Sequence, residues 1–179
     1  MNLNQNYFEL FDLPINPEVD FELLSMRYRE LQQQTHPDRF ASASEHEQRM
    51  SLQHTTLVNE AYEVLCSNLK RAVYLLELRG TELTEKENTA VEPDFLMEQI
   101  ELREALEEIN ESSEPLVELD QLRSEVDTVI TELDGEFGRY WQENTEDSLN
   151  HAITTVRKMQ YMTKLKHEID LKEEELLDY

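Results

Sequence analysis

The sequence predicts an all-α protein built as two helical modules, and three observations carry that prediction. Glycine and proline are scarce, at 3 and 5 of 179 residues, so little interrupts a helix. Apolar residues recur at spacings of three and four rather than in alternation. Acidic charge is divided unevenly: residues 1–80 carry 12 acids and 7 bases, residues 81–179 carry 28 acids and 9 bases, so the two regions differ in electrostatic character.

Taken in order, "YFELF" (7–11) predicts a short helix. Residues 18–35 place Phe21, Leu24, Tyr28 and Leu31 on one helical face, with Asp20 as N-cap. Pro37 should stop this helix, because the residue before a proline is pushed out of the α region. A second long helix begins after "SASEHE", where Ser42 with Glu45 and Ser44 with Glu47 are alternative capping boxes. It presents Met50, Leu57, Ala61, Val64 and Leu65, and should pack antiparallel on the first so that both stripes are buried. "LKRAVYLLEL" supplies further apolar cover.

Residues 80–92, "GTELTEKENTAVE", are polar and predict a linker between modules spanning 1–79 and 93–179. Three helical patterns follow, near 93–110, 114–142 and 146–177, predicting a three-helix bundle. The middle one carries a seam of Leu119, Leu122, Val126, Val129, Leu133, Phe137 and Tyr140. The last carries Val156, Met159, Met162, Leu165 and Ile169.

Several functions are disfavoured. A net charge of −24 opposes binding to nucleic-acid backbone or to an anionic membrane surface, and no apolar run approaches transmembrane length. With one cysteine, Cys66, neither an intramolecular disulfide nor a thiolate cluster can form; that residue is expected in the core. The default setting is the reduced cytoplasm, and the default state a monomer. The histidines at 36, 46, 54, 151 and 167 form no i, i+4 pair, so no metal site and no cofactor are expected. Acidic runs such as Glu173-Glu174-Glu175 are solvated faces rather than acid–base pairs.

The tripeptide His36-Pro37-Asp38 lies between the two amphipathic helices, and "NEAYEVL" (59–65) follows on the second. The bland reading is a helix stop with an Asx-type turn. A hydrolase using His36 and Asp38 is disfavoured by geometry, since nothing on a surface turn excludes water and no nucleophile is adjacent. The combination resembles the J domain of DnaJ-type co-chaperones, in which a helical hairpin displays His-Pro-Asp at its tip. That resemblance implies docking of His36, Pro37 and Asp38 on a DnaK-type ATPase, whose hydrolysis the loop promotes, so that this chain is not itself an enzyme. A proline-stiffened loop loses little entropy on docking, and Asp38 can accept a charge-assisted hydrogen bond from an arginine of the partner. J domains also use a basic face on the preceding helix. Here only Arg27 and Arg29, with Arg39 beyond the motif, oppose Glu22 and Glu30, which favours a dedicated partner over promiscuous activation.

On a helical wheel, Phe95, Leu102, Leu106 and Ile109, with Ala105 nearby, form one stripe of the first helix of the second module. Leu96, Met97 and Ile100 fall roughly opposite, bordered by Glu101, Arg103, Glu104 and Glu108. Two readings are open: the second patch meets another helix of the same chain, or it is an exposed protein-binding site with a charged rim. The order of modules, with "FLMEQIELREALEEI" (95–109), "TVRKMQYMTKL" (155–165) and "EEELLDY" (173–179), resembles the HscB family of iron–sulfur co-chaperones over essentially the whole chain. The resemblance implies that the second module binds the scaffold protein IscU through Leu96, Met97, Ile100, Glu101, Arg103, Glu104, Glu108 and Tyr161, and delivers it to HscA, a specialised DnaK-type chaperone. Tyr161 lies off the Met159–Met162–Leu165 stripe. The competing alternatives are a general J-domain co-chaperone for another DnaK-type chaperone, and an acidic helical scaffold with no chaperone role.

Overall fold

The structure is a computed structural model that describes residues 5–81, 83 and 93–178. The described residues form helices and connecting turns, with no strand among them, as the sequence predicts. The chain divides into two compact units, Met1–Gly80 and Thr81–Tyr179. Residues 82 and 84–92 of the expected linker lie outside the described residues.

In the first unit, α1 (Tyr7–Leu10) is a single turn closed by a capping box between Asn6 and Glu9. Helix α2 (Phe21–Thr35) starts where the Asp20 carboxylate accepts the backbone N–H of Leu23. Helix α3 (Glu45–Cys66) starts at Ser44 with Glu47 as the reciprocal partner, so of the two capping boxes open in the sequence this one forms. Helix α4 (Asn68–Leu78) follows after one residue, with Ser67 as its cap. Helices α2 and α3 run antiparallel: Tyr28 stacks on Tyr62 at 3.9 Å, while Gln32, further along α2, reaches Asn59, further back on α3. The core holds Phe8, Phe11, Leu24, Val58, Ala61, Leu65, Leu75 and Leu76, all essentially inaccessible. Each large apolar side chain buried there contributes about 1.5–3 kcal/mol.

Two expectations about side chains fail in this unit. Phe21 is 47% exposed rather than part of the core face. As the first residue of α2 it projects past the end of the α3 stripe, and its ring lies beneath the Arg71 guanidinium at 5.5 Å. Cys66 is exposed, not buried. It ends α3 beside Leu65, and neighbouring helical positions lie ~100° apart, so only Leu65 enters the core.

The second unit contains α5 (Pro93–Glu108), α6 (Pro115–Glu143) and α7 (Glu146–Leu177). Asn144 adopts the left-handed conformation at φ 52° and lets the chain reverse within two residues. Thr145 then caps α7 through the Ser148 backbone N–H. The two long helices are antiparallel, as ion pairs from Arg123 to Asp170 and Glu173 and from Asp127 to Lys166 require. Between them Leu119, Val126, Phe137, Val156, Met159, Met162, Leu165 and Ile169 are excluded from solvent. Helix α5 contributes Phe95, Leu102 and, just past its end, Ile109 to the same core. Ala105, expected beside that stripe, is exposed.

Candidate functional site

Two surfaces, one on each unit, carry the residues singled out by sequence. The first is the turn between α2 and α3. His36 adopts φ −56° and ψ 128°, the extended geometry that Pro37 imposes on its predecessor, and residues Pro37–Phe40 wind into one 3-10 turn. The turn projects its polar groups outward: the side chains of His36 and Asp38 are 55% and 91% exposed. Nδ1 of His36 accepts the backbone N–H of Asp38 at 3.3 Å and lies 3.6 Å from the Asp38 carboxylate. The imidazole thus braces the turn, while most of the carboxylate faces solvent and is free to accept from another molecule.

Three arginines, Arg27 and Arg29 back along α2 and Arg39 in the loop itself, are partly committed within the chain. Arg27 pairs with Asp12 and Glu30, each at 3.4 Å, which reduces the positive field that α2 projects. Arg29 is exposed and its Nε donates to the carbonyl of Ser25 at 3.2 Å. Arg39 folds back so that Nη1 donates to the carbonyl of Gln33 at 2.8 Å. In a continuing helix that carbonyl would accept from residue 37, but Pro37 has no N–H. Arg39 therefore completes the end of α2 as well as adding charge beside the loop.

The second surface lies on α5. Leu96, Met97 and Ile100 are 45%, 59% and 52% exposed, on the side of the helix away from Phe95 and Leu102. No other described helix of the unit covers them. Glu101, Arg103, Glu104 and Glu108 are exposed around this patch. Nη2 of Arg103 reaches both oxygens of Glu168 on α7, at 2.7 and 3.0 Å, and the carboxylate raises the guanidinium above its ordinary pKa. Tyr161 of α7 is half-buried: its ring packs edge-on against Phe95 at 6.3 Å, and its hydroxyl lies 3.5 Å from the carbonyl of Gln99. An apolar centre ringed by charge is suited to protein recognition rather than to chemistry on a small molecule.

Among the described residues, no group of three or more histidine, cysteine or acidic side chains is placed to hold a metal, and no helix is long and apolar enough to cross a membrane.

Comparison with known proteins adds a family to this geometry. Residues 6–74 match the DnaJ domain and residues 91–170 match the HSCB C-terminal oligomerisation domain. Co-chaperone protein HscB homologs from Pseudoalteromonas atlantica and Vibrio campbellii are 41% and 42% identical, across 97% and 96% of this chain and 99% of theirs. Among solved structures, chaperone HscB from Vibrio cholerae superposes with a TM-score of 0.84 at 37% identity, covering 96% of this chain and 99% of that one. Human co-chaperone HscB gives 0.87 at 32% identity, covering 97% and 84%. Similarity of this extent, over both units and in the same order, means that the chain belongs to the HscB family of J-domain co-chaperones.

Proposed function

We propose that this co-chaperone is a two-handed adaptor that binds the iron–sulfur scaffold IscU with its C-terminal unit and presents it to the DnaK-type chaperone HscA with its N-terminal unit. Residues 93–179 form the scaffold-binding domain and residues 1–79 the J domain, joined through 80–92. The observation that carries this reading is the solvent-facing Leu96–Met97–Ile100 patch, which no described helix of its own unit covers. Tyr161 and the charged groups Glu101, Arg103, Glu104 and Glu108 set the orientation of the bound scaffold. The His36–Asp38 loop, with Arg39 beside it and Arg27 and Arg29 further back on α2, docks on the ATP-bound chaperone and promotes hydrolysis there, so no catalytic group is required of this chain. The modest cationic character of α2, with Arg27 already paired to Asp12 and Glu30, supports a dedicated chaperone partner; the proposed setting of the pair is the cytoplasm. The adaptor works as a monomer and needs no cofactor of its own.

Tethering raises the local concentration of scaffold at the chaperone, so scaffold and co-chaperone together stimulate more than either alone. Single-turnover ATP hydrolysis by HscA, with this protein and with or without IscU, tests the reading. Stimulation should be lost in His36→Gln and should grow with IscU. Stimulation indifferent to both changes would refute it.

A further inference from the structure

The carbonyl of Thr35, the last of α2, is held by two hydroxyls from α3. Oγ of Ser51 donates to it at 2.6 Å and Oγ1 of Thr55 at 2.9 Å. Its helical donor would be the N–H of Arg39, but that group bonds the His36 carbonyl instead, at 3.1 Å. Thr35 and Ser51 are 7% and 3% exposed, so water is a poor substitute at this point. The peptide carrying this carbonyl leads directly into His36. The same helix also ties the far side of the loop, where Nε2 of Gln48 donates to the carbonyls of Ala41 and Ala43 at 3.3 and 3.1 Å.

We infer that Ser51 and Thr55 are positioning residues that fix the orientation in which the His36–Asp38 loop is offered to the chaperone. This rests on the proposed docking role of that loop. Neither hydroxyl needs to touch the partner. Their effect runs through the Thr35 peptide, whose rotation would swing the imidazole and the Asp38 carboxylate together. Without the two donors, a nearly buried carbonyl loses both partners and the peptide is free to reorient toward solvent. The loop then spends part of its time in orientations that cannot dock, and apparent affinity falls by the fraction that remains competent.

The test compares Thr55→Val and Ser51→Ala/Thr55→Val with Thr55→Ser, Thr56→Val and Asp38→Asn in the full chain. The readout is stimulation of HscA single-turnover hydrolysis as a function of co-chaperone concentration, below the melting temperature of each variant. The double variant should need roughly tenfold more protein for half-maximal stimulation, with the maximum retained, as expected when two hydrogen bonds to one buried group are removed. Amide exchange should quicken at residues 38–41, and scaffold binding by the other unit should be unaltered. Thr55→Ser restores the donor and should behave as wild type. Thr56→Val should be neutral, because that hydroxyl only bonds Leu52 within its own helix. Half-saturation unchanged in the double variant, with Asp38→Asn inactive, would overturn the positioning role while leaving the docking loop intact. A Ser51→Ala/Thr55→Ser variant, which keeps one donor on the Thr35 carbonyl, should recover most of the shift of the double variant, and no recovery would overturn the positioning role too. Full stimulation by Asp38→Asn would instead remove the docking reading on which the inference depends.

Discussion

Arg103 on α5 and Glu168 on α7 are joined by two hydrogen bonds from a single guanidinium nitrogen, at 2.7 and 3.0 Å. The pair links the helix that carries the exposed apolar patch to the helix that carries Tyr161. Both partners are partly exposed, at 46% and 30%, so solvent screens much of the attraction. A double-mutant cycle of Arg103→Ala and Glu168→Ala, followed by urea unfolding, should give a coupling of about 0.5–1 kcal/mol at low salt. The coupling should shrink in 1 M salt. A salt-independent value above that range would mean that the pair is sealed from solvent in solution.

The apolar patch and Tyr161 should separate in their effects on folding. Leu96, Met97 and Ile100 are about half exposed, and alanine is at least as good a helix former. Replacing all three with alanine should alter unfolding free energy by less than about 1 kcal/mol. Affinity for the scaffold, measured by calorimetry, should fall by several kcal/mol, as for a central hot spot. Tyr161→Ala should lower both, because its ring also packs on Phe95, whereas Tyr161→Phe keeps that packing. Unchanged affinity in the triple variant would show that the scaffold binds elsewhere.

How much of this was legible in the sequence depends on whether a side chain's partner is another side chain. The stripes of α6 and α7 were legible because apolar side chains meeting each other leave a periodic record, and Leu119, Val126, Phe137, Met159 and Ile169 are buried as spaced. The splitting of α5 into two apolar sides was legible for the same reason. Whether the Leu96–Met97–Ile100 side lies open or meets another helix of the unit is not legible, since it depends on where α6 and α7 stand. Phe21 and Cys66 depart from the periodic faces because both sit at helix ends, where such a face runs past the element it packs on. The roles of Ser51 and Thr55 left only a faint trace: with Val58 they are spaced four and three, so two small hydroxyls share a face with a core residue. Their partner is a backbone carbonyl freed because Pro37 stops α2 at Thr35; the stop is legible, but which α3 side chains reach a freed main-chain carbonyl is not, since only one side of that contact is a side chain.

His54 gives the first unit a pH dependence. Burial holds its imidazole below the ordinary value of 6.5, and its Nε2 is buried with no hydrogen-bond partner among the described residues. The unfolded chain therefore takes up this proton first as pH falls. The stability that His54 contributes by staying neutral is present above about pH 6.5 and is lost progressively below it. His54→Gln should flatten the decline of the urea midpoint between pH 7 and pH 5, leaving the steeper loss at lower pH to the carboxylates. An identical decline in the variant would show that His54 titrates normally in the folded protein.

Arg71 should be the most sensitive of the charged positions described in the first unit, because it is the one that is buried. The residue is 4% exposed, and its guanidinium donates to the carbonyls of Pro17 and Leu65 at 2.7 and 2.6 Å and to the Asn68 side chain at 2.9 Å. It thereby ties the segment before α2 to the end of α3 and the start of α4, and its planar face covers Phe21. Three geometrically fixed acceptors are a task for the rigid guanidinium fork, which an ammonium cannot reproduce. Arg71→Met keeps the apolar stem but orphans two backbone carbonyls at or near the core. Each buried unsatisfied group costs about 1–3 kcal/mol, so a loss of about 3 kcal/mol or more is expected. Arg71→Lys should recover only part of it, because one ammonium cannot span the same acceptors. Chemical unfolding of the full chain should show the first unit melting earlier in both variants while the α5–α7 unit keeps its own transition. A loss below about 1 kcal/mol in Arg71→Met would mean that water replaces the guanidinium and that the site is more open than its 4% exposure implies.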